Sequence, residues 1–515
     1  MTTSQLWLPI DDFLARPQAQ RIPRPRRIFC NRNLRMSTIA WVGFDMDYTL
    51  AIYNQKEMDE LSIRATIDKL VQRGYPEFVR AIAYQTAFPV RGLLIDKRFG
   101  HVLKMNRYKF VAKGYHGMRE LDKHQLRQLY HSKKIRPATP RYHWIDTLYA
   151  LSEASLYAAL VEAMEERGLA IDYAKAFTDI RDSIDEAHRD GTILETVAAD
   201  FPRFVRKDPE LAPTLHKLRS AGKRLFLLTN SRWAYTDKTM SYLLDGAMAE
   251  YAHWRNYFDV VIVAATKPAF FQEKRPLMMQ NGKELVPATL PLERGKVYEG
   301  GNLEELEYAL GAVGDEVLYV GDHIYGDILR SKKESAWRTA MIIQELEGEV
   351  LAHDSCQEDF ARSVELESGR DRLEDELRFY QGRFKDLSRR IEHQGGVNGQ
   401  TASLSERTRI KRAIDRVRGG LRSVDAELHA IERRIDQRFH PFWGSLLKEE
   451  NEQSCFGSQV EDYACLYTSR VSNFLLYSPQ QYFRSPRDEM AHEMATRTLA
   501  GAGDASEDCG THDEG

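Results

Sequence analysis

The run Trp41-Val42-Gly43-Phe44-Asp45-Met46-Asp47-Tyr48-Thr49-Leu50 confines the fold more than any other stretch, because its apolar half stops abruptly at a pair of carboxylates. A short apolar segment that ends in polar turn chemistry suits a strand in the middle of a parallel sheet, so Trp41 to Phe44 is predicted to be a buried strand. Asp45 then stands at the strand's carboxyl end, where open α/β sheets bind their ligands. The turn that follows makes Asp45 and Asp47 diverge, so one carboxylate can face a phosphorus while the other reaches over the leaving oxygen. Taken alone, a loop with two solvated acids would read the same way.

The apolar-then-polar step returns at Arg224 to Ser231, at Phe258 to Ala264 running on to Lys267-Pro268, and at Val317 to Val320 followed by Gly321-Asp322-His323-Ile324-Tyr325-Gly326-Asp327; Arg338 to Ile343 reads as a fifth strand. Helices fit between them at Ala234 to Leu244, with Gly246 as a stop signal, and at Leu303 to Leu310. Strand, helix, strand in alternation predicts an α/β fold, a doubly wound parallel-sheet, Rossmann-like core built from residues 37–60 and 221–350. The insert between the first two core strands, residues 61–220, has helical periodicity in Leu61 to Gly74 and Ser152 to Leu169 and a short strand-like passage near Gly92 to Tyr108. It is expected to be a mainly helical cap that excludes water and supplies specificity.

Past about residue 350 the strands are expected to stop, leaving a helical region over 351–494. Leu373, Leu377, Tyr380, Phe384, Leu387 and Ile391 make one seam, and Ile410, Ile414, Val417, Leu421, Val424, Leu428, Ile431 and Ile435 another. Joined by the loop at 394–399, they predict an antiparallel helical hairpin; such a seam could equally pack on the core or on another subunit. Phe439 to Phe483 is aromatic-rich and expected to be buried, and 495–515 is expected to be a disordered tail. At the other end, residues 1–36 read as an arm: six arginines from Arg21 to Arg35 have no acid among them, and Pro23 and Pro25 prevent a regular helix. Packing on an acidic surface of its own protein is favoured over a nucleic-acid contact, since nothing aromatic beyond Phe29 is interleaved.

A chain of 515 residues with 43% hydrophobic and 10% aromatic residues can fill two or three domains. Its net charge of −3 gives no global pull toward nucleic acid or acidic membranes, and no nucleic-acid partner is expected. Five cysteines, an odd number without metal-ligand spacing, suit a reducing cytoplasm. With no apolar run of about 18 residues and no signal-like N-terminus, a soluble protein without membrane contact is expected.

Asp-Met-Asp-Tyr-Thr at 45–49 resembles the first motif of the haloacid dehalogenase superfamily of phosphotransferases. Four strands each deliver one apt residue to the same sheet edge: Asp45, Thr229, Lys267 and Asp322. Asp45 is the candidate nucleophile, since a carboxylate can attack phosphorus and later leave. Asp47 is the candidate general acid and base, a role that contributes roughly 10²–10⁴-fold. Two acids beside a phosphate call for a cation, and Mg²⁺ is the natural one, held by Asp45 and Asp322 with Asp327 orienting metal waters from behind. Thr229 and Asn230 can donate to phosphate oxygens, and Lys267 can neutralise Asp45 and the transferring group. Singly, a Thr-Asn pair also reads as a helix cap and a Lys-Pro as a surface turn.

A broader resemblance, to the cytosolic purine 5'-nucleotidases, runs from about Ile28 to about Arg484. It is carried by Gly43 to Ala51, by Phe88-Pro89-Val90-Arg91-Gly92-Leu93, by Thr229-Asn230-Ser231 with Tyr235-Thr236-Asp237-Lys238, and by Gly321 to Leu329. The resemblance implies Mg²⁺-dependent hydrolysis of purine nucleoside 5'-monophosphates, with inosine and guanosine monophosphates preferred, and phosphoryl transfer to other nucleosides. It also implies the Asp47 main-chain carbonyl as a metal ligand. Arg181 to His188 is similar to the family's base-recognition helix; Arg181, Asp185 and His188 share one face and can meet the polar edge of a purine, although a solvated charged face would look the same. Tyr149 stands where the family has a phenylalanine that stacks on the base, and Leu194 stands where it has a lysine. Arg136, Tyr325, Lys333 and Gln459 fall where contacts to an activating nucleotide are expected, with Tyr325 replacing a phenylalanine; Asp462 replaces an arginine there and Asp146 an asparagine. A homo-oligomer, dimer or tetramer, is implied by the resemblance alone. Two alternatives remain at this stage: a phosphatase for another phosphate ester, and an interaction protein that works through hairpin and arm and carries a vestigial site.

Overall fold

Strand Trp41–Phe44, buried at all four positions, is the centre of a ten-stranded sheet in the computed structural model, which describes residues 21–131, 135–282, 284–393, 397–487 and 490. Residues 1–20 of the expected arm and the expected tail at 495–515 lie outside the described residues. Five parallel strands follow the order Arg338–Ile342, Val317–Gly321, Trp41–Phe44, Arg224–Leu228, Val260–Val263. Trp41 is in register with Arg224 and Val317, and Phe44 with Leu227 and Val320, so neighbouring strands stop at one level. Alternation sorts the side chains: Val42, Phe44, Leu225, Leu227, Leu318 and Val320 enter one core, while Trp41, Phe226, Tyr319 and Trp337 enter the other. Gly43 is required here, because a Cβ on it would lie 2.0 Å from Cζ of Phe226.

The sheet is wider than the sequence suggests. Strand Tyr298–Gly300 continues it in parallel, and Leu277–Asn281 and Glu284–Pro287 close that edge antiparallel. On the other edge Leu466–Thr468 pairs in parallel with Arg338–Ile342, and Phe29–Cys30 pairs antiparallel with it. The expectation that strands end near residue 350 is therefore corrected. Leu-Tyr-Thr is too short to show periodicity, and it becomes a strand because a finished sheet edge offers it partners. The arginine-rich segment belongs to the core for the same reason, and two of its guanidiniums meet acids of the same chain: Arg24 pairs with Asp354 and Arg26 with Glu210.

A two-stranded ribbon, Ile52–Tyr53 against Val205–Arg206, joins core and insert. It brackets the insert at 54–204 and leaves helix Leu211–Ser220 with the core, where Thr214 and Lys217 bond to the Val471–Leu476 turn. The insert is helical through Gln55–Gln72, Leu151–Glu166 and Tyr173–Arg189. It also carries a five-stranded antiparallel sheet ordered Arg119–Glu120, Val111–His116, His101–Met105, Leu93–Asp96, Tyr142–Ile145, of which the sequence reading had one short passage.

Helices Gln357–His393 and Val397–Phe439 form the hairpin, each about 55–65 Å long at about 1.5 Å per residue. Leu366, Leu428 and Ile431 are buried together across the hairpin, Ile410, Ile414 and Val417 are each buried on the second helix, and Arg362–Glu427 and Arg383–Glu406 ion pairs flank them. Its root is pinned to the insert, with Trp443 Nε1 donating to the Phe88 carbonyl (2.7 Å) and Phe88, Tyr115, Phe442 and Trp443 in mutual ring contact.

Candidate active site

The turns after strands Trp41–Phe44, Val260–Val263 and Val317–Gly321 bring the side chains of Asp45, Lys267, Asp322 and Asp327 together. Asp45 N–H donates to the Val320 carbonyl (2.9 Å), which fixes the Asp45 backbone between neighbouring strands. Asn230 ties two of the turns together: Lys267 N–H donates to Asn230 Oδ1 (2.6 Å), and Asn230 Nδ2 donates to the Lys267 carbonyl (2.9 Å). The Asn230 side chain is thus spent on positioning Lys267, and only its main chain is left to face a phosphate. Thr229 Oγ1 accepts the Ser231 N–H (3.1 Å), so its own proton remains a donor.

Lys267 Nζ lies 2.9 Å from Asp45 Oδ1, 2.6 Å from Asp327 Oδ1 and 2.9 Å from Tyr319 Oη, and Tyr319 Oη in turn donates to the Leu228 carbonyl (3.0 Å). Oxygens of Asp45, Asp322 and Asp327, all buried, lie within 4.8 Å of one another. Gly321 makes room for this, since a Cβ there would lie 2.6 Å from the Asp327 carboxyl. The electrostatics follow from crowding. Burial drives the Asp45 carboxyl well up against the pull of Lys267, and burial followed by Asp327 pushes Asp322 up to about 7. Burial works against the Lys267 ammonium, but Asp327 and Asp45 outweigh it and hold the amine charged.

Three buried carboxylates against one ammonium leave an excess of negative charge on hard oxygen donors, the donor set that Mg²⁺ takes. Asp327 Oδ1 is bonded to Lys267 and its Oδ2 accepts the His323 N–H (3.3 Å), so Asp45 and Asp322 are the side chains left to hold a cation directly. Asp45 Oδ1 accepts from Lys267 and from the Met46 N–H (2.8 Å), and Oδ2 takes part in neither of these bonds. Arg91, wholly buried, donates to the Asp322 carbonyl (3.0 Å) and clasps Glu345 with two nitrogens (2.8 and 2.6 Å).

Asp47 faces hydroxyls. Tyr53 Oη donates to Oδ1 (2.6 Å) and Ser231 Oγ to Oδ2 (2.6 Å). Burial raises the Asp47 carboxyl, and hydrogen bonds from Ser231, Tyr53 and Tyr149 act in the opposite sense. Neither Tyr53 nor Tyr319 was singled out from the sequence, because each is one more apolar-compatible residue in a buried strand; Ser231 and His323 lay inside quoted motifs without a role.

In the insert, Tyr149 and His188 come together, ring centroids 5.6 Å apart and edge to face, with Tyr149 also edge-on to Tyr48 at 4.7 Å. Leu194 and Tyr149 both pack, half-buried, against the large apolar core that spans sheet and insert. Arg181 is engaged with other residues of the insert: its Nη1 lies 2.9 Å from His143 Nε2 and 3.4 Å from Glu153 Oε2. Burial lifts the Glu153 carboxyl up to about 7 against the opposing pull of Arg181, and burial followed by Arg181 pushes His143 down to about 4. Asp185, on the same helix, is exposed. Neither His143 nor Glu153 had a sequence signal.

Of the expected effector contacts, Tyr325 and Gln459 are joined, Gln459 Nε2 to Tyr325 Oη at 2.9 Å. Lys333 Nζ lies 5.9 Å from the Tyr463 ring centre, and Arg136 is exposed one residue from Ile135, which packs with Cys455. Asp146 has found a basic partner, with its Oδ2 3.3 Å from His323 Nε2; burial opposes the imidazolium, but Asp146 raises it on balance. Through this pair the Asp322 loop touches the insert.

A sequence model of the 5' nucleotidase family matches residues 28–495. Among curated relatives, a 5'-nucleotidase domain-containing protein of Dictyostelium discoideum is 28% identical over 479 residues, covering 91% of this chain and 75% of its own. The 5'-nucleotidase domain-containing protein 2 of Homo sapiens is 26% identical over 491 residues, 93% of this chain and 87% of its own. Among solved structures, a predicted phosphoglycolate phosphatase of Haemophilus somnus is similar at a TM-score of 0.26 and 13% identity, over 59% of this chain and 85% of that one.

Proposed function

This chain belongs to the 5' nucleotidase family and is a 5'-nucleotidase, and from that premise we propose that it hydrolyses purine nucleoside 5'-monophosphates, inosine and guanosine monophosphates first, through a phosphorylated Asp45. The observation that carries the reading is the meeting of Asp45, Lys267 and Asp327 within 2.9 Å contacts at the strand ends, with Asp47 beside them. Asp45 Oδ2 attacks phosphorus and the ester bond to the 5'-oxygen breaks as Asp47 gives that oxygen its proton. Water then attacks the phosphorus of phosphorylated Asp45 and gives its proton to Asp47, and the bond from phosphorus to Asp45 Oδ2 breaks to release phosphate. Lys267 and the Thr229 hydroxyl hold the charge of the transferring group, and Asn230 holds Lys267. A nucleoside hydroxyl in place of water would give phosphotransfer. Mg²⁺, held by Asp45, Asp322 and the Asp47 carbonyl with Asp327 behind them, would supply charge neutralisation at the phosphate.

Tyr149, His188, Asp185 and Arg181 are the proposed base contacts, with Glu153 and His143 steering Arg181. A nucleotide effector at Arg136, Tyr325, Lys333 and Gln459, a homo-oligomeric state and a cytoplasmic location are inferred from family likeness. Free Cys30, Cys356, Cys455 and Cys465 suit that location, and no helix among the described residues is long and apolar enough to cross a membrane. The test is phosphate release across a panel of nucleotides and other phosphate esters, with Mg²⁺ and with EDTA. Inosine or guanosine monophosphate turned over with Mg²⁺, silent in EDTA and silent in Asp45→Asn, is expected; an Asp45→Asn variant as active as the parent sinks the mechanism. A second reading, a smaller leaving group, is favoured by the edge-to-face closure of Tyr149 on His188, and the same panel separates it.

A further inference from the structure

The hydroxyl shell around Asp47 extends one residue deeper than the reaction requires. Tyr53 Oη lies 2.6 Å from Asp47 Oδ1 and 2.9 Å from Tyr235 Oη, while Ser231 Oγ lies 2.6 Å from Asp47 Oδ2. Tyr53 has a single proton. Spent on Asp47, it obliges Tyr235 to be the donor of the second bond, so the chain has one direction: Tyr235 to Tyr53 to Asp47. Both rings are buried, at 2% and 7% exposure, where each bond polarises the next and no water competes.

We infer that Tyr53, backed by Tyr235 and opposed by Ser231, is a positioning residue that aims the Asp47 carboxyl at the leaving 5'-oxygen; this rests on the reading of Asp47 as the general acid. Each Asp47 oxygen accepts from a different element, Tyr53 from the ribbon that joins core and insert and Ser231 from the turn after Arg224–Leu228. Turning the carboxyl about its Cβ–Cγ bond would break the hydrogen bonds from Tyr53 and Ser231, and a misdirected acid loses most of its effect. The hydroxyl protons stay on their oxygens throughout. Only the Asp47 proton moves, to the 5'-oxygen as the ester bond breaks and back from water when the phosphorylated Asp45 is cleared.

Positioning of an acid can be told from general damage by changing the leaving group. The constant kcat/KM ends at loss of the leaving group, and p-nitrophenolate departs without a proton whereas a nucleoside alkoxide needs one. Tyr53→Phe is expected to lower kcat/KM for inosine monophosphate roughly tenfold to a hundredfold and that for p-nitrophenyl phosphate by less than about threefold. Tyr235→Phe should show the same selectivity at smaller amplitude, and it carries the test if thermal melting shows that Tyr53→Phe fails to fold. Asp47→Asn, run beside them, separates the two claims. If Asp47→Asn falls equally on both esters, the acid reading itself fails. If Asp47→Asn is selective while the tyrosine variants lose both substrates alike, or neither, the positioning role is overturned.

Discussion

Lys267 is the residue on which the charge balance of the site turns. Its ammonium is enclosed by Asp45, Asp327 and Tyr319, and without it both buried carboxylates lose their ion-pair partner. Lys267→Met is expected to abolish turnover and to cost roughly 3–5 kcal/mol of stability, the usual penalty for orphaning a buried charge, checked by urea unfolding beside a phosphate assay. Asp59 makes a second prediction. It is 3% exposed, takes one hydrogen bond from Gln55 (2.9 Å), and burial pushes its carboxyl up to about 8 from 3.8. A carboxyl whose folded value is raised supports the fold fully below its unfolded value and loses that support as pH climbs through the folded one. Asp59→Asn has nothing to lose in this window, so its melting temperature should gain steadily on the parent's between pH 5 and pH 8. A constant gap over that range would refute the assignment.

At the scale of the element, the centre strand is set by one missing side chain. Gly43 lies under the ring of Phe226, whose Cζ, Cε2 and Cε1 would be 2.0, 2.3 and 2.6 Å from a Cβ, and both flanking strands hold it in register. Gly43→Ala is expected to leave little folded protein. Phe226→Leu in the same chain should restore folding, at a cost of about 1–3 kcal/mol for the altered packing, as circular dichroism and melting would show. If Gly43→Ala folds as well as the parent, the strand is looser than its packing implies. The bounds of helix Leu303–Leu310 also have local causes: Asn302 caps it by accepting the Glu305 N–H (3.0 Å), and Gly311 ends it at φ 58°.

For the whole molecule, the hairpin is fastened to the rest of the chain at its root, where Asp436 pairs with Lys113 and His440 bonds to the Ala87 carbonyl. The two long helices bury Leu366 against Leu428 and Ile431, while Trp443, His440 and Phe442 fasten the root beside Phe88. Replacing residues 375–418 by a short Gly-Ser turn is therefore expected to leave nucleotidase turnover within about twofold, because the two helices need no third element to bury their apolar faces. Turnover lost along with the tip would show that the hairpin reaches the site, and a change in size-exclusion mass alone would give it a role in assembly.

The parallel core and the placement of Asp45, Thr229 and Asp322 at its strand ends were legible because a buried strand is written as an uninterrupted apolar run and its end as the first polar residue after it, whereas Asp47, Lys267 and Asp327 lie further into the turns. The edge strands Phe29–Cys30 and Leu466–Thr468, the antiparallel sheet of the insert and the hydroxyls and buried groups around Asp47 and Arg181 were not. Those features arise between segments up to hundreds of residues apart: Tyr53 meets Tyr235, Glu153 meets Arg181, and Thr468 finds Ile342 only when the chain has closed. Periodicity records which face of a segment avoids water, and it is silent about which distant segment will supply the other half of a hydrogen bond.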